Sequence, residues 1–492
     1  MSRKKDRLPG KIITAFFFVL VFAFITLLIY TKLIPVKYLA IICGVLILLV
    51  LIVYLLVRKI RHKIPFVTGV ILMLFVTLVM GLGSLYIYKT IHTIDNITGV
   101  NTEIAQIGVY VLSEDSADSI NSALDYQFGI LASLDRESTD ETVKQLNSEL
   151  GVEIQTKEYE ALTDLADAVL RKKVGAIILN QAYLDVIDEM NGYQNFSSMI
   201  REITTKHVET VIERTEPQLV VDPNGNTNTD DMVFTLFISG IDTRGAMTAK
   251  SRSDVNIIAT VNTNTRQVLL VSTPRDYFVP LSISNGTPDK LTHAGIYGVN
   301  VCMDTLGMLY DQDINYYFRL NFAGFINIID ALGGITINSD YDFTSQNVAG
   351  YHFNQGENFV NGEQALAFAR ERYAFQEGDR QRGKNQLAVI EGVINKALSP
   401  ELLKNYASVL AGVEGSFETN VPYDMLASLV RKQLNDGGSW NIVSYSVDGT
   451  GDTQKPYSMS QKAYVMVPDQ ETVDQAKDLM NKVRNGESIS LD

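Results

Sequence analysis

The sequence predicts an α/β protein in which three transmembrane helices precede two α/β domains. Two observations lead to this fold class. Three uncharged apolar runs occupy the first part of the chain, and short apolar runs alternate with amphipathic helical patterns over most of the remainder. Such alternation is typical of strands covered by helices. The 492 residues leave room for two or three domains after the membrane part.

The apolar runs at 12–30, 38–57 and 64–88 each have the ~20 residues that cross about 30 Å of hydrocarbon. Three successive runs without a small-residue cleavage pattern indicate permanent spans and not a signal peptide. The sequence therefore predicts a cytoplasmic tail at 1–11 and three spans within 12–89.

Lys and Arg in the flanks predict the orientation of these spans. Five of them lie in the tail and four in "RKIRHK", between the second and third runs, whereas the first connection has two and the exit from the third run has one. Positive charge is retained on the cytoplasmic side, so the tail and the second connection are expected inside the cell. An odd number of spans then places all of the chain after residue 90 outside the cell membrane.

The outer part is acidic. Residues 1–89 contain 12 Lys and Arg and one acid, which leaves 30 Lys and Arg against 55 Asp and Glu, a net charge of −25. Such a surface repels nucleic acid unless basic groups are gathered locally. A transcription factor is further excluded because the cytoplasmic tail is so short. Within this acidic part, "FARERYAFQEGDRQRGKNQ" (368–386) gathers four arginines and a lysine. The alternative explanation of this cluster is a solvated helix face with internal Glu–Arg pairs.

Residues 90–215 are predicted to form a small accessory α/β domain without a Gly-rich phosphate loop. Its expected strands are "IGVYVL" (107–112), "VEIQTKEY" (152–159) and "VGAIILN" (174–180), and its expected helices are "DSADSINSALDYQFGILASL" (115–134) and "LTDLADAVLRKK" (162–173). The proline-containing polar run at 216–231 is interpreted as a linker. The second α/β domain is expected over 232–492, with a surface loop at 449–460.

Three strands at the start of the second domain are expected to form an antiparallel meander. They are "VFTLFISGI" (233–241), "DVNIIATVN" (254–262) and "QVLLVSTP" (267–274), and the last two are joined by a four-residue turn typical of a hairpin. In a meander, the end of the first strand, the start of the second and the end of the third lie at one edge. Asp242, Asp254 and Arg275 are therefore expected to meet there, below Arg244 and Arg252.

Two neighbouring carboxylates are costly unless a proton or a cation neutralises them. The residues around Asp242 and Asp254 offer oxygen and guanidinium groups, which suits a hard cation such as Mg²⁺ together with phosphate oxygens. Cys43 and Cys302 offer neither a disulfide in the outer part nor a Cys/His metal site. The alternative is that both aspartates cap strand ends or pair with arginines.

The basic cluster is expected to bind an anion. If "RER" (370–372) is extended, Arg370 and Arg372 point to the same side. "GDRQRGKNQLAVIEGVINKAL" (378–398) predicts a helix that begins near Arg380, Arg382 and Gln386, and helix starts favour anions. Guanidiniums, a helix start and a metal together suit a pyrophosphate.

Two apolar stretches, 314–337 and 387–398, are richer in Tyr, Phe and Ile than one core face requires. They are interpreted either as ordinary core helices or as a slot for a lipid tail.

These motifs resemble those of the LytR–CpsA–Psr family, whose members attach cell-wall glycopolymers to peptidoglycan in Gram-positive bacteria. The resemblance covers about residues 232–400 and includes "ISGIDTRG", "SRSDVNIIATVN", "VSTPRDYFV", "DKLTHAG", "NGEQALAFARER" and "GDRQRGKNQ". The three spans and the accessory domain further resemble the streptococcal capsule-locus members. The resemblance implies an α/β/α domain with a mixed sheet, whose helices enclose a polyprenyl chain.

By the same resemblance, Asp242 and Asp254 would hold Mg²⁺ or Mn²⁺, and Asp254, Arg252 and Arg275 would serve catalysis. The residues implied to contact the pyrophosphate are Arg252, Arg275, Arg370, Arg372, Arg382 and Gln386. Lys290 is a weaker candidate near the site's entrance. Asn385 stands where many members have an arginine, and Arg380 is a candidate substitute for it.

The resemblance implies a phosphotransferase that moves capsular polysaccharide from undecaprenyl pyrophosphate to a peptidoglycan hydroxyl at the cell membrane. Two alternatives use the same residues. A non-catalytic scaffold would bind the lipid-linked glycan and control capsule polymerisation and regulatory proteins, and a hydrolase would use water as acceptor. A scaffold needs the basic residues but not a paired-aspartate metal site, which favours the transferase.

Overall fold

Three apolar helices form the N-terminal part of the computed structural model: α1 (Leu8–Tyr30), α2 (Val36–Val57) and α3 (Lys63–Ile97). Each is long and apolar enough to cross a membrane, which confirms the three predicted helices. Phe17, Val21 and Val53 pack between them. The orientation of these helices in a membrane stays a prediction. The structure describes residues 8–58, 63–97, 102–212, 218–221, 227–241, 249–348, 350–399, 409, 412–413 and 415–491.

A five-stranded sheet follows, in the order β3-β2-β4-β1-β5. Its elements are β1 (Thr102–Leu112), β2 (Gln127–Leu131), α4 (Arg136–Leu150), β3 (Gln155–Tyr159), α5 (Leu162–Leu170), β4 (Ala176–Asn180), α6 (Ala182–Asp188), α7 (Phe196–Met199) and β5 (Ile200–Val211). β2 runs parallel to β3 and β4, whereas β1 runs antiparallel to β4 and β5. We call 102–211 the accessory unit.

The helix predicted over 115–134 is wrong. That segment contains a short 3₁₀ turn at Ile120–Ala123 and then strand β2. Phe128 and Ile130 are buried in the core of the accessory unit, where β2 pairs with strands on both sides. Pairing inside the sheet satisfies the backbone of this segment and outweighs its local helical pattern.

The predicted linker at 216–231 contains strand residues. β6 (Gln218–Val221) pairs antiparallel with the first part of β7 (Thr227–Ile241), with Leu219 opposite Met232. The sequence "QLVV" explains the strand, because β-branched residues fit a pleated surface.

The second sheet has seven strands, in the order β17-β12-β7-β8-β9-β18, with β6 also on β7. The remaining bounds are β8 (Ser253–Asn262), β9 (Gln267–Thr273), β10 (Phe278–Pro280), β11 (Pro288–Lys290), α8 (Ala294–Tyr297), α9 (Val299–Tyr310), β12 (Tyr316–Leu320), α10 (Phe322–Ala331), β13 (Ile335–Ser339), β14 (Phe343–Thr344), β15 (His352–Phe353), β16 (Gly356–Val360), α11 (Gly362–Arg370), α12 (Asp379–Ala397), β17 (Glu418–Thr419), α13 (Tyr423–Asp436), β18 (Asn441–Ser446), β19 (Gly449–Gln454), β20 (Ala463–Pro468) and α14 (Gln470–Arg484).

The pairing in this sheet is mixed. β7, β8 and β9 form the predicted antiparallel meander, while β12 runs parallel to β7 and β18 runs parallel to β9. Helices cover both faces. α9 and α14 pack on the face that includes Phe237 and Ile258, and α12 and α13 pack on the face that includes Ile257 and Leu270. The α/β/α arrangement with a mixed sheet is therefore confirmed.

The surface loop predicted at 449–460 is only partly correct. Its first half is strand β19, which forms an antiparallel pair with β20. "GTGDTQ" is polar and rich in glycine, so its strand character comes from this pairing and not from its own composition.

A buried ionic group joins the accessory unit to the second sheet. Arg319 of β12 donates hydrogen bonds to Glu103 of β1 and, at 3.1 and 2.7 Å, to Glu418 of β17. The other oxygen of Glu103 accepts the backbone N–H of Val299 at 2.8 Å. Burial alone lowers the pKa of Arg319, but the two carboxylates outweigh it and raise that pKa. The charge of Arg319 is therefore compensated inside the protein.

Arg319→Ala is expected to lower the free energy of unfolding by about 3–5 kcal/mol, because it leaves two buried carboxylates without their cation. Chemical unfolding of residues 90–492 measures this loss. Arg136→Ala is the matched control, because Arg136 pairs with Asp140 and Glu158 at the surface, where such pairs contribute at most about 1 kcal/mol. Equal losses in the two variants would contradict a structural role for the buried group.

Candidate active site

One edge of the second sheet gathers the ends of β7 and β9 and the start of β8. Arg275 follows β9 and donates from Nη1 to Oδ1 of Asp254 at 3.1 Å. The Thr292 hydroxyl donates to the same oxygen at 3.2 Å. The meander therefore brings Asp254 and Arg275 together as expected. Asp242 and Arg244 lie outside the described residues.

Arg370, Arg372, Arg382 and Gln386 lie near this edge and line one cavity together with Asp254 and Arg275. Arg382 is in the first turn of α12, as predicted, and its guanidinium lies 3.3 Å from Asp379. Arg372 lies 3.6 Å from the same carboxylate. Arg372 and Arg382 thus share the carboxylate of Asp379, an arrangement that favours an added anion.

An extended "RER" segment does not position Arg370 and Arg372. Arg370 is the last residue of α11, and its guanidinium lies 4.2 Å from the ring centroid of Phe322. Glu371, between the two arginines, is buried and accepts backbone N–H groups from Gln346, Asn347, Arg372, Tyr373 and Ala374. Burial raises the pKa of Glu371, but these donors outweigh that effect and lower it. No local pattern in the sequence predicts this structural role of Glu371.

Electrostatics distinguish Arg382 from its neighbours. Burial is the largest influence and, with Arg275 and Arg372 nearby, it lowers the pKa of Arg382 despite the opposing Asp379 and Asp254. For Arg275, the carboxylates of Asp254 and Asp276 outweigh burial and raise the pKa. The lowered pKa of Arg382 thus reflects first the burial of its charge, which a bound oxyanion would compensate.

The cavity that these groups line has a volume of ≈ 600 Å³ and is otherwise mainly apolar. It lies between the sheet and helices α10, α12 and α13, and its lining runs along β7 from Phe234 to Gly240. Six steps along a strand span about 20 Å. The polar groups lie at the Gly240 end, because Asp254 and Arg275 flank that end of the sheet. The opposite end is lined by residues such as Val261, Leu429 and Trp440.

A second, polar cleft of ≈ 770 Å³ adjoins the first cavity, and Arg275 and Arg372 line both. Arg252 lies in this cleft, hydrogen-bonded to Glu189 and 3.6 Å from Asp185. Lys290 lies 3.3 Å from Asp276 and 3.9 Å from Glu189. The structure therefore separates Arg252 and Lys290 from the residues that line the apolar cavity.

Arg380 also lines the cleft, but its Nε donates to Asp448 at 2.7 Å. Asn385 is buried and donates to the carbonyl of Phe368 at 3.1 Å, so it packs in the core and does not line the cavity. The side chain of Arg380 therefore does not occupy the place in the structure where Asn385 lies.

Two parts of the cleft were missed by sequence analysis: Glu189 of the accessory unit, and Tyr464 of the hairpin formed by β19 and β20. Both come from segments distant in sequence from the motifs, and no local pattern marks them.

Among the described residues, no group of three or more His, Cys, Asp or Glu is arranged to hold a metal ion. Asp254 has one oxygen engaged by Arg275 and Thr292, and its other oxygen accepts no hydrogen bond from the described residues. The metal site at Asp242 and Asp254 stays a prediction.

The motif order and the fold can be compared with known proteins. The model of the LytR_cpsA_psr family matches residues 190–482, more than half of the chain. The chain belongs to the LytR–CpsA–Psr family. The match begins within the accessory unit and ends within α14.

Curated relatives within this family are named transferases. The polyisoprenyl-teichoic acid–peptidoglycan teichoic acid transferase TagU of Enterococcus faecalis is 33% identical over 252 residues, which cover 51% of this chain and 80% of that protein. Bacillus subtilis TagU is 33% identical over 219 residues, covering 44% of this chain and 69% of its own. The crystal structure of B. subtilis TagV, 24% identical, aligns with a TM-score of 0.44 over 52% of this chain and 98% of its own.

Val393→Trp is expected to weaken binding of the apolar dye N-phenylnaphthylamine about tenfold, because the indole fills part of the apolar cavity. Tenfold corresponds to losing roughly 55 Å² of apolar contact at about 25 cal/mol per Å². Fluorescence titration of residues 90–492 measures it. Val152→Trp, at an exposed position of the accessory unit, should leave dye binding unchanged. Equal affinity in both variants would show that the dye binds elsewhere.

Proposed function

We propose that this protein is a membrane-anchored phosphotransferase that moves a capsular polysaccharide, or a related glycopolymer, from undecaprenyl pyrophosphate to a hydroxyl of peptidoglycan. The observation that carries the proposal is the gathering of Arg275, Arg370, Arg372 and Arg382 at one end of an apolar cavity. An amphiphile with an anionic head and a long apolar chain matches both parts of that site.

The arginines are suited to a pyrophosphate head group. Arg offers planar, bidentate hydrogen bonding to phosphate oxygens. Arg382 lies in the first turn of α12, and a helix start favours negative charge. Burial, the main cause of the lowered pKa of Arg382, makes a compensating anion favourable at this point.

The membrane part supports a lipid-linked substrate. The connection between α1 and α2 contacts α13: the Tyr423 hydroxyl donates to the carbonyl of Thr31 at 2.7 Å, and Lys32 pairs with Asp424 at 2.9 Å. Other residues of α13, Met425 and Leu429, line the apolar cavity. The end of the cavity away from the arginines is thus close to the predicted membrane helices, where a polyprenyl chain resides.

In the proposed reaction, a hydroxyl oxygen of peptidoglycan forms a bond to the glycan-side phosphorus of the pyrophosphate. The bridging P–O bond breaks, polyprenyl phosphate leaves with the electron pair, and the hydroxyl proton passes to solvent. The product is a phosphodiester between glycan and peptidoglycan. Arg275, Arg372 and Arg382 would hold the phosphates in place and stabilise the charge that develops on the leaving phosphate.

The donor set near Asp254 fits a divalent cation that is bound mainly by phosphate oxygens. Asp254 and Asp242 would hold Mg²⁺ or Mn²⁺, and the ion would supply charge neutralisation for the pyrophosphate. Asp254 would also keep Arg275 oriented through their 3.1 Å hydrogen bond.

The nature of the glycan rests on resemblance. The TagU relatives are named for teichoic acid transfer, which supports a polyisoprenyl-linked glycopolymer as substrate. The three apolar helices and the accessory unit favour capsular polysaccharide, because they resemble the arrangement of streptococcal capsule-locus members.

Asp254→Asn and Arg275→Gln are each expected to lower transfer about 10²- to 10³-fold, the usual effect of removing one group that stabilises developing charge. The full chain is incubated with polyprenyl-pyrophosphoryl glycan, Mg²⁺ and a peptidoglycan oligomer, and products are followed by mass spectrometry. Arg136→Gln, at the surface of the accessory unit, serves as the control. Polyprenyl phosphate without a glycan–peptidoglycan adduct would indicate a hydrolase, and unchanged attachment in Asp254→Asn would favour the scaffold.

Chelation with EDTA is expected to abolish transfer, and added Mg²⁺ or Mn²⁺ to restore it. Asp254→Asn should weaken binding of Mn²⁺ at least about tenfold, because losing one anionic ligand costs on the order of 1.4 kcal/mol or more. Electron paramagnetic resonance of added Mn²⁺ measures binding independently of activity. Equal Mn²⁺ affinity in wild type and Asp254→Asn would remove Asp254 from the metal site.

A further inference from the structure

Glu189 brings a carboxylate of the accessory unit into the polar cleft of the candidate active site. It follows α6, and its side chain accepts a hydrogen bond from Nη1 of Arg252. Its other oxygen lies 3.9 Å from Nζ of Lys290. Two cations of the second domain, both sequence-predicted site residues, therefore face one anion from a different part of the chain.

Both cations are largely withdrawn from water, whereas the carboxylate is not. The side chains of Arg252 and Lys290 are 18% and 9% exposed, and that of Glu189 is 41% exposed. A buried cation needs an anionic partner, because desolvation without compensation is costly. The pKa of Arg252 reflects this balance: burial lowers it, and Glu189, Asp254 and Asp185 together outweigh burial and raise it.

The guanidinium of Arg252 has both of its terminal nitrogens directed at carboxylates of the accessory unit. Nη1 contacts Glu189, and Nη2 lies 3.6 Å from Asp185. Glu189 therefore engages Nη1, one of the two terminal nitrogens that could bind a phosphate in a bidentate manner. A phosphate that uses both terminal nitrogens would compete with Glu189 for Nη1.

These contacts continue to the edge of the sheet as alternating charges. Lys290 lies 3.3 Å from Asp276, and Asp276 lies 3.7 Å from Arg275, which lines both the cleft and the apolar cavity. A series of adjacent charged side chains therefore connects the Glu189 carboxylate to Arg275 in the proposed pyrophosphate site.

We propose that Glu189 determines the affinity of the transfer site for phosphate. Its carboxylate occupies the position between Arg252 and Lys290 that an oxyanion of the substrate takes when it binds. This inference rests on the proposed function. In the substrate-free protein Glu189 neutralises the two cations, and an entering phosphate oxyanion replaces it. The accessory unit thereby sets how tightly the site holds phosphate.

The test measures binding of geranyl pyrophosphate, a short and soluble polyprenyl pyrophosphate, to the full chain in detergent micelles at fixed Mg²⁺. Glu189→Gln keeps the shape and removes the charge. Its dissociation constant is expected to fall about 5- to 50-fold, the usual size of coupling between interacting groups. Its thermal midpoint without ligand should fall, because Arg252 loses its hydrogen-bonded carboxylate, and should recover when the probe binds.

Glu158→Gln is the matched control, since Glu158 belongs to the same unit and pairs with Arg136 at the surface. It should leave the affinity unchanged, which separates the ion pair from a general loss of negative charge. Combining Glu189→Gln with Arg252→Gln should give a smaller gain than Glu189→Gln gives alone, because the released cation is then absent.

Affinity that is unchanged or weaker in Glu189→Gln would overturn the inference, since Glu189 would then be inert or would position Arg252 for the ligand. An equal gain in Glu158→Gln would overturn it as well. Failure of the wild type and every variant to bind the probe would count against the proposed function itself, and the inference would fall with it. Binding by the wild type with no gain in Glu189→Gln counts against the inference alone.

Discussion

Keeping several arginines partly out of water at one place is the constraint on which the site depends. Arg382 is 17% and Arg275 27% exposed at the side chain, and Arg275 lies close enough to lower the pKa of Arg382. Like charges in such surroundings repel, so the fold must place anions among them or leave room for one. Asp254 and Asp379 supply part of the compensation. The cavity beside the arginines provides the room, which is why a charged head group and an apolar chain fit the same site.

Backbone pairing produces this arrangement before any side chain acts. In the β8–β9 ladder, Asn256 lies opposite Thr273, so Asp254 and Arg275, two residues beyond these positions, lie at the same edge of the sheet. A shift of one residue would turn either side chain to the opposite face. Residues buried along both strands hold that register, with Ile258 opposite Val271 in one core. The chemistry at the edge therefore depends on packing in the middle of the sheet.

Local patterns in the sequence were sufficient for the elements that rely on local forces. The apolar helices, the meander and the start of α12 have uninterrupted periodicity and short turns, and the structure has them where they were predicted. Features that depend on contacts between residues far apart in the sequence have no such local pattern. β2 is a strand because it lies between two others, β19 is one because β20 pairs with it, and Glu371 orders loops that lie more than twenty residues away. The contact of Arg252 with Glu189 joins residues 63 positions apart, and neither position is distinctive on its own.

Contacts between distant parts of the chain also explain how a carboxylate of the accessory unit can act at the site. A surface ion pair alone contributes too little to hold two units in register. The buried group of Arg319, Glu103 and Glu418 does so, because separating the two units would leave its charges without their partners. Further contacts, such as Thr163 with Ser460 at 2.8 Å, join the accessory unit to the second domain on the Glu189 side. With its backbone fixed in this way, the side chain of Glu189, which is 41% exposed, is the part that would move to release Arg252. Exchange of one oxyanion for another at that guanidinium then requires no separation of the two units.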